Sequence, residues 1–142
     1  MDTDKSLLLQ RTFMAIAALS GATAVALGAY ASHGLKNVLT TDSLAVIQTA
    51  LDYQFIHTLA LLFVSLVPLK MTPANSRLLM LSGSLFVMGI LLFSVNLYAI
   101  QILHFTALSK LTPVGGVMLI IGWLTLFILA FKKSNAEKNT DH

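Results

Sequence analysis

Polar and ionisable side chains that could do chemistry are few in this apolar chain, and they fall in four short stretches. The candidates are His33 and Lys36, then Asp52, Tyr53, Gln54 and His57, then Asn96, and finally His104 with Lys110. Imidazole and carboxylate groups can relay protons and bind divalent metals. One hypothesis is therefore a proton or ion relay using His57, Asp52 and His33. Another is a metal site built from His33, His57, His104 and Asp52.

A third interpretation of His57 is structural, and we favour it over the relay and the metal site. No two histidines are three or four residues apart, so the spacing indicates no particular metal geometry. Polar side chains commonly join helices inside membranes, and a neutral His57 would donate one hydrogen bond to a neighbouring helix. Asn96 receives the same interpretation. No Ser-His-Asp spacing, phosphate-binding glycine loop or HExxH motif occurs, so we predict no catalytic residue, no metal site and no cofactor.

These side chains need a scaffold, and the composition points to a membrane. The chain has 142 residues, of which 56% are hydrophobic and 11% charged, whereas soluble domains carry about 25% charged residues. Absence of cysteine excludes disulfides and thiolate metal sites. The nine basic residues are scattered, so nucleic acid is not a predicted partner. The lipid bilayer is the predicted partner.

Four apolar runs are long enough to cross a bilayer core of about 30 Å. The prediction is an all-α membrane protein, a four-transmembrane-helix bundle with spans at about 12–31, 53–69, 78–100 and 113–131. An amphipathic segment, Asp42–Asp52, leads into the second span near the interface. A leader, 1–11, and a tail, 132–142, flank the bundle. Ala29-Tyr30-Ala31 resembles a signal-cleavage site, but the preceding run exceeds the usual 7–15 residues, so we predict a retained span.

Helix starts are predicted from capping residues and from proline. Thr41-Asp42-Ser43 offers N-caps for the lead-in, and Asn75 or Ser76 for the third helix. Thr112-Pro113 starts the fourth span, because proline at the first helical position loses no hydrogen bond.

Small residues spaced four apart predict close helix packing, since they let helix backbones approach. In the first span they form the sets Ala17 and Gly21; Ala18, Ala22 and Ala26; and Ser20, Ala24 and Gly28. We expect the same role for Gly115, Gly116 and Gly122, and we expect Trp123 to pack between helices.

Basic residues predict the orientation of the bundle. Seven of the nine lie on the side of both termini and the second loop, namely Lys5, Arg11, Lys70, Arg77, Lys132, Lys133 and Lys138. Lys36 and Lys110 lie on the other side. The positive-inside rule therefore places both termini in the cytoplasm. Tyr30, Tyr53 and Tyr98 then lie at the outer interface, with His57 about one turn below it.

Several segments of the chain resemble a known family. They are Gly28–Lys36 (GAYASHGLK), Thr49–Leu62 (TALDYQFIHTLALL), Phe93-Ser94, Leu97-Tyr98, Leu111–Gly116 (LTPVGG) and Gly122-Trp123. In this order they are similar to the YgdD-like small membrane proteins, known as domain of unknown function 423. The resemblance implies a four-helix protein of the bacterial inner membrane that keeps its first span. It implies no activity, substrate or cofactor.

The leading functional hypothesis is non-enzymatic: an integral membrane protein that packs with itself or with partner membrane proteins through its alanine-rich first helix. The alternative is a small transporter or ion-conducting assembly with a polar outer vestibule around His57, Asp52 and Asn96. A weaker alternative is a metal-handling protein.

Overall fold

The computed structural model describes residues 3–67 and 72–132, and it is helical in both parts. The helices are α1 (Thr3–His33), α2 (Thr41–Leu66), α3 (Pro73–Ile90), α4 (Asn96–Leu103) and α5 (Thr112–Ala130). A π-helical turn, Leu91–Val95, joins α3 to α4, and 3-10 turns occupy Leu35–Asn37 and Ser109–Leu111. No strand occurs among the described residues.

Within residues 3–67 and 72–132, four helical segments are long and apolar enough to cross a membrane, which confirms the predicted fold class. They are Leu7–Asn37, Thr41–Leu66, Pro73–Leu103 and Ser109–Ala130. The third therefore includes α3, the π turn and α4 in one rod. Successive spans are antiparallel, and we call the end that holds the connections 34–40 and 104–111 the two-loop end. Lys70, Lys133 and Lys138, used for the predicted orientation, lie outside the described residues, as does most of the predicted tail.

The helix starts differ from the prediction at two of three places. Thr40, not residues 41–43, caps α2, and its hydroxyl accepts a hydrogen bond from the backbone nitrogen of Ser43 at 3.2 Å. Thr72, not Asn75 or Ser76, caps α3 in the same way. In both cases a threonine just upstream has the extended backbone that an N-cap requires. The start at Thr112-Pro113 is confirmed.

Two packed clusters hold the spans together. The central cluster includes Phe13 and Ala17 of α1, Leu61 and Val64 of α2, and Phe86 of α3. The second cluster lies toward the two-loop end, where Tyr98 packs with Leu35, Ile47, Ala50 and Leu51. Helix α1 packs along α2, α3 packs along α5, and α2 contacts α3 and α4. Helix α2 is thus the centre of the bundle, and it carries most of the candidate site residues.

Candidate functional site

The middle of α2 carries three buried polar side chains, Gln54, His57 and Thr58. His57 is 16 residues after Thr41 and nine before Leu66, so it lies about 24 Å from the start of the helix and about 14 Å from its end. The predicted lead-in Asp42–Asp52 and the second span form one continuous helix, α2. Gln54 faces a groove between α1 and the third span, whereas His57 faces a groove between α2 and α5.

Gln54 is the hub of a hydrogen-bonded network that joins three spans. Its amide nitrogen donates to the backbone oxygen of Ser20 at 2.9 Å and to the hydroxyl of Thr23 at 3.1 Å. Its amide oxygen accepts from the Tyr98 hydroxyl at 2.8 Å. The hydroxyls of Ser20 and Thr58 lie 2.6 Å apart, which adds a further link between α1 and α2. These bonds satisfy polar groups that would be costly to leave unpaired in hydrocarbon.

His57 does not form the predicted hydrogen bond to a neighbouring helix. Its Nδ1 lies 2.6 Å from the backbone oxygen of Tyr53 on the same helix. A carbonyl oxygen can only accept, so Nδ1 carries the hydrogen and the neutral ring has its lone pair on Nε2. The imidazole packs against the ring of Phe86 at 5.8 Å and that of Trp123 at 6.2 Å between centroids. His57 is thus a buried side chain with one ring nitrogen fixed and the other unpaired within the described residues.

The π turn lies beside this site and is held by a close approach of two backbones. A Cβ atom added to Gly115 would lie 2.6 Å from the Phe93 nitrogen and 2.7 Å from the Leu92 carbonyl carbon. Phe93, in this turn, stacks on Tyr53 with ring centroids 4.5 Å apart. A π turn adds one residue to a helical turn and is frequent at functional sites. Here it presents Phe93 to the groove that His57 faces.

Asn96, just after the π turn, has a structural role at the two-loop end. Its amide nitrogen donates to the backbone oxygen of Leu108 at 2.7 Å and to the Thr112 hydroxyl at 2.8 Å. It thereby fixes the connection into α5. The side-chain oxygens of Asn96 and Ser94 are buried and have no hydrogen-bond partner among the described residues.

The remaining polar candidates do not join His57 in one cluster. His33 and Lys36 are exposed at the two-loop end, and Asp52 is exposed and accepts a hydrogen bond from Gln48 at 2.7 Å. His104 ends α4 in the left-handed conformation and is exposed. Among the described residues, no group of three or more His, Cys, Asp or Glu side chains is placed to hold a metal. Neither Asp52 nor Asn96 is hydrogen-bonded to His57, since Asp52 bonds to Gln48 and Asn96 to Leu108 and Thr112.

The predicted packing residues divide into two groups. Ala17, Gly21, Ala24 and Gly28 lie on the face of α1 that packs against α2 of the same chain; Gly21, for example, is in ordinary contact range of Thr58. Gly115 and Gly122 are close-packed, and a Cβ at Gly122 would lie 2.7 Å from the Phe86 ring. Gly116 makes only ordinary contacts. Trp123 packs on His57 of α2 and Phe86 of α3, as expected of a ring between helices, while 45% of it stays exposed at the groove.

Sequence reasoning missed the partners of Gln54. Ser20 appeared only as a small residue, Thr23 and Thr58 were not singled out, and Tyr98 was taken for an interfacial ring. One available signal was Gln54 itself, because an amide in an apolar span requires partners on facing helices. Ser20 and Thr23 are the hydroxyl side chains in the middle of the adjacent first span, so they were the natural candidates.

Four apolar spans, whose buried polar side chains mostly form hydrogen bonds within the protein, define an integral, multi-pass membrane protein. A family model described as "Protein of unknown function (DUF423)" matches residues 27–116. The chain belongs to this family, which confirms the resemblance seen in the sequence.

Three relatives cover nearly the whole chain. It is 39% identical over 127 residues to a UPF0382 membrane protein of Haemophilus influenzae, covering 89% of this chain and 99% of the relative. It is 34% identical to the UPF0382 inner membrane protein YgdD of Escherichia coli, with 86% and 91% covered. It is 33% identical to the UPF0382 membrane protein YwdK of Bacillus subtilis, with 86% and 98% covered. No solved structure matches the chain.

Proposed function

We propose that this chain is a non-enzymatic membrane protein that assembles with a second copy of itself through the outward face of α1. This outward face is opposite to the α2-facing residues Ala17 and Ala24. It consists of five exposed alanines at helical spacing, Ala15, Ala18, Ala22, Ala26 and Ala29. Small residues allow two helix backbones to approach closely, which is how helices without a hydrophobic driving force associate in lipid.

The observation that carries the proposal is the contrast between this face and the other exposed faces. The exposed apolar residues of α2 and α5 are bulky, as suits contact with lipid chains: Phe55, Ile56, Leu59, Phe63, Leu66, Val117, Ile120, Ile121, Leu124 and Phe127. On α1 the bulky exposed residues Leu19 and Val25 flank the alanines instead of interrupting them. Two copies inserted in the same direction can place these faces together as a self-complementary, two-fold interface.

The proposed absence of enzymatic activity is supported by the surroundings of the polar groups. His57 Nδ1 is bonded to a backbone oxygen, and no hydroxyl or carboxylate is hydrogen-bonded to its ring within the described residues. The Gln54 network is closed on itself by bonds between helices. Such hydrogen bonds stabilise helix packing. Hydrolytic chemistry would instead need a nucleophile hydrogen-bonded to a base.

Substitution of Ala22 by leucine is expected to weaken self-association about tenfold, because overpacking a close helix contact costs about 1–3 kcal/mol. Dimerisation is measured by energy transfer between donor- and acceptor-labelled chains in lipid vesicles at varied protein-to-lipid ratios. Ala130→Leu is the matched control, since Ala130 is exposed on α5. A monomeric wild type at every ratio, or an unaffected Ala22→Leu variant, would contradict the proposal. If a different membrane protein co-purifies with the wild type but not with Ala22→Leu, that protein, and not a second copy, binds the outward face of α1.

We also propose that the protein lies in the inner membrane with both termini in the cytoplasm, on the strength of the distribution of basic residues. The chain lacks cysteine, so a single introduced thiol reports one position. In spheroplasts, a membrane-impermeant maleimide is expected to label Val38→Cys, in the connection 34–40, and to spare Ala74→Cys at the start of α3. Labelling of Ala74→Cys alone would contradict the proposed orientation and indicate the opposite one. Labelling after permeabilisation with detergent is the control that both thiols can react.

A further inference from the structure

The groove between α2 and α5 is an apolar surface cleft on the outside of the bundle. Its first part, with a volume of about 440 Å³, is lined by His57, Tyr53, Phe93 and Trp123. A second part of about 870 Å³ shares Trp123 and continues past Phe63. Phe63 is exposed, so the groove opens sideways to lipid. It shares no residue with the outward face of α1.

His57 gives this groove one unsatisfied polar group. The side chain is 94% buried, because its exposed fraction is 6%, and it lines the groove. With Nδ1 donating to the Tyr53 oxygen, Nε2 can only accept in the neutral ring. No donor of the described residues reaches Nε2. An unpaired acceptor among apolar walls is costly in hydrocarbon, where water is not available to bond it.

We propose that the groove binds a lipid-soluble phenol or hydroquinone whose hydroxyl donates a hydrogen bond to His57 Nε2 and whose hydrocarbon tail extends past Phe63. The missing partner must be a donor, because Nε2 is an acceptor. It must be soluble in lipid, because the groove opens to lipid. The lining favours an uncharged head, since no Asp, Glu, Lys or Arg side chain lines either part of the groove to pair with a charge.

The walls favour an aromatic head over an aliphatic alcohol. Tyr53 and Phe93 stack at 4.5 Å beside the imidazole, and Trp123 meets His57 edge to face. Flat rings pack well in stacked or edge-to-face arrangements, which add to the free energy of burial. The wider second part has the length and apolar lining that a tail requires. A hydroquinone fits both requirements, whereas its oxidised quinone form lacks the hydroxyl donor.

The groove carries its own reporter, because Trp123 is the single tryptophan of the chain. The full-length protein in detergent micelles is titrated with decyl-hydroquinone under anaerobic conditions, and Trp123 fluorescence is followed. We expect saturable quenching. The dimethyl ether of the same compound, which has no hydroxyl donor, is expected to bind about tenfold more weakly, since loss of one buried hydrogen bond is worth about that factor. Decanol is expected to compete poorly.

Four variants separate ligand binding from folding. His57→Leu removes the acceptor and is expected to weaken binding about tenfold, whereas His57→Gln keeps an acceptor oxygen and should retain part of it. Gly116→Leu leaves His57 intact but fills the groove that Gly116 lines, and it should abolish saturable quenching. His33→Leu, which changes an exposed histidine outside the groove, should bind like the wild type. Far-UV circular dichroism of each variant verifies the helical fold.

The proposal is overturned by any of three results. These are quenching of the wild type that rises linearly without saturation, equal binding of hydroquinone and its dimethyl ether, or unchanged binding by a folded His57→Leu variant. If decanol competes as well as the hydroquinone binds, the groove has no preference for an aromatic head group. None of these outcomes bears on self-association through α1, which is measured separately.

Discussion

Replacing Gly115 with alanine is expected to destabilise the protein by about 2 kcal/mol or more, near the upper part of the range for overpacking. The added Cβ atom would lie 2.6 Å from the Phe93 nitrogen and 2.7 Å from the Leu92 carbonyl carbon. Both are backbone atoms of the π turn, so no side chain can rotate away. Either α5 must shift from α3 or the π turn must rearrange, and both changes disturb the Tyr53–Phe93 stack.

The adjacent Gly116 provides a matched control for this prediction. A Cβ atom there would lie 3.7 Å from the nearest atom of Phe93, an ordinary contact. Gly116→Ala is therefore expected to be neutral or stabilising by up to about 1 kcal/mol, the helix-propensity difference between alanine and glycine. Thermal unfolding of the two variants in one detergent, followed by circular dichroism, measures the difference. Equal melting temperatures for Gly115→Ala and Gly116→Ala would contradict the close backbone contact.

The four spans could be predicted because lipid imposes a simple requirement on the sequence: long apolar runs broken by polar connections. Local chemistry also predicted the start of α5, since Thr112-Pro113 acts through its own backbone. The caps at Thr40 and Thr72 were missed by a few residues, because threonine and its neighbours are almost equally good caps. The cap is the residue whose backbone is extended just before the first helical turn, and this is Thr40 in α2 and Thr72 in α3.

The candidate site was harder to predict, because it depends on how helices rotate against one another. His57 is three positions after Gln54, yet Gln54 faces α1 and His57 faces α5. Likewise, Ala18 and Ala24 are both small, but only Ala24 packs against α2. The sequence spacing of four groups such residues correctly into faces. Which face meets which helix follows from packing of all the spans together, and so does the π turn beside His57.

Replacing Gln54 by methionine is expected to lower the free energy of unfolding by about 2 kcal/mol. Methionine has a similar length but cannot form the hydrogen bonds of the amide. The change leaves the buried Tyr98 hydroxyl without its acceptor. The exposed Thr23 hydroxyl loses one donor but keeps its bond to the Ser20 backbone oxygen. Leaving buried partners unsatisfied costs about 1–3 kcal/mol, although single bonds between membrane helices average only about 0.6. Tyr98→Phe, which loses one bond, is expected to cost about 1 kcal/mol.

A double-mutant cycle tests whether these groups act as a unit. The Gln54→Met, Tyr98→Phe protein should be more stable than the sum of the single effects predicts by about 0.5–1 kcal/mol, because coupled sites are not additive. Reversible unfolding in mixed micelles supplies the free energies, and Tyr30→Phe, on an exposed ring, should change little. Strict additivity would mean that Tyr98 and Gln54 stabilise the bundle independently. Coupling would instead show that the Gln54 amide and the Tyr98 hydroxyl stabilise the bundle as a pair, which joins α2 to the third span.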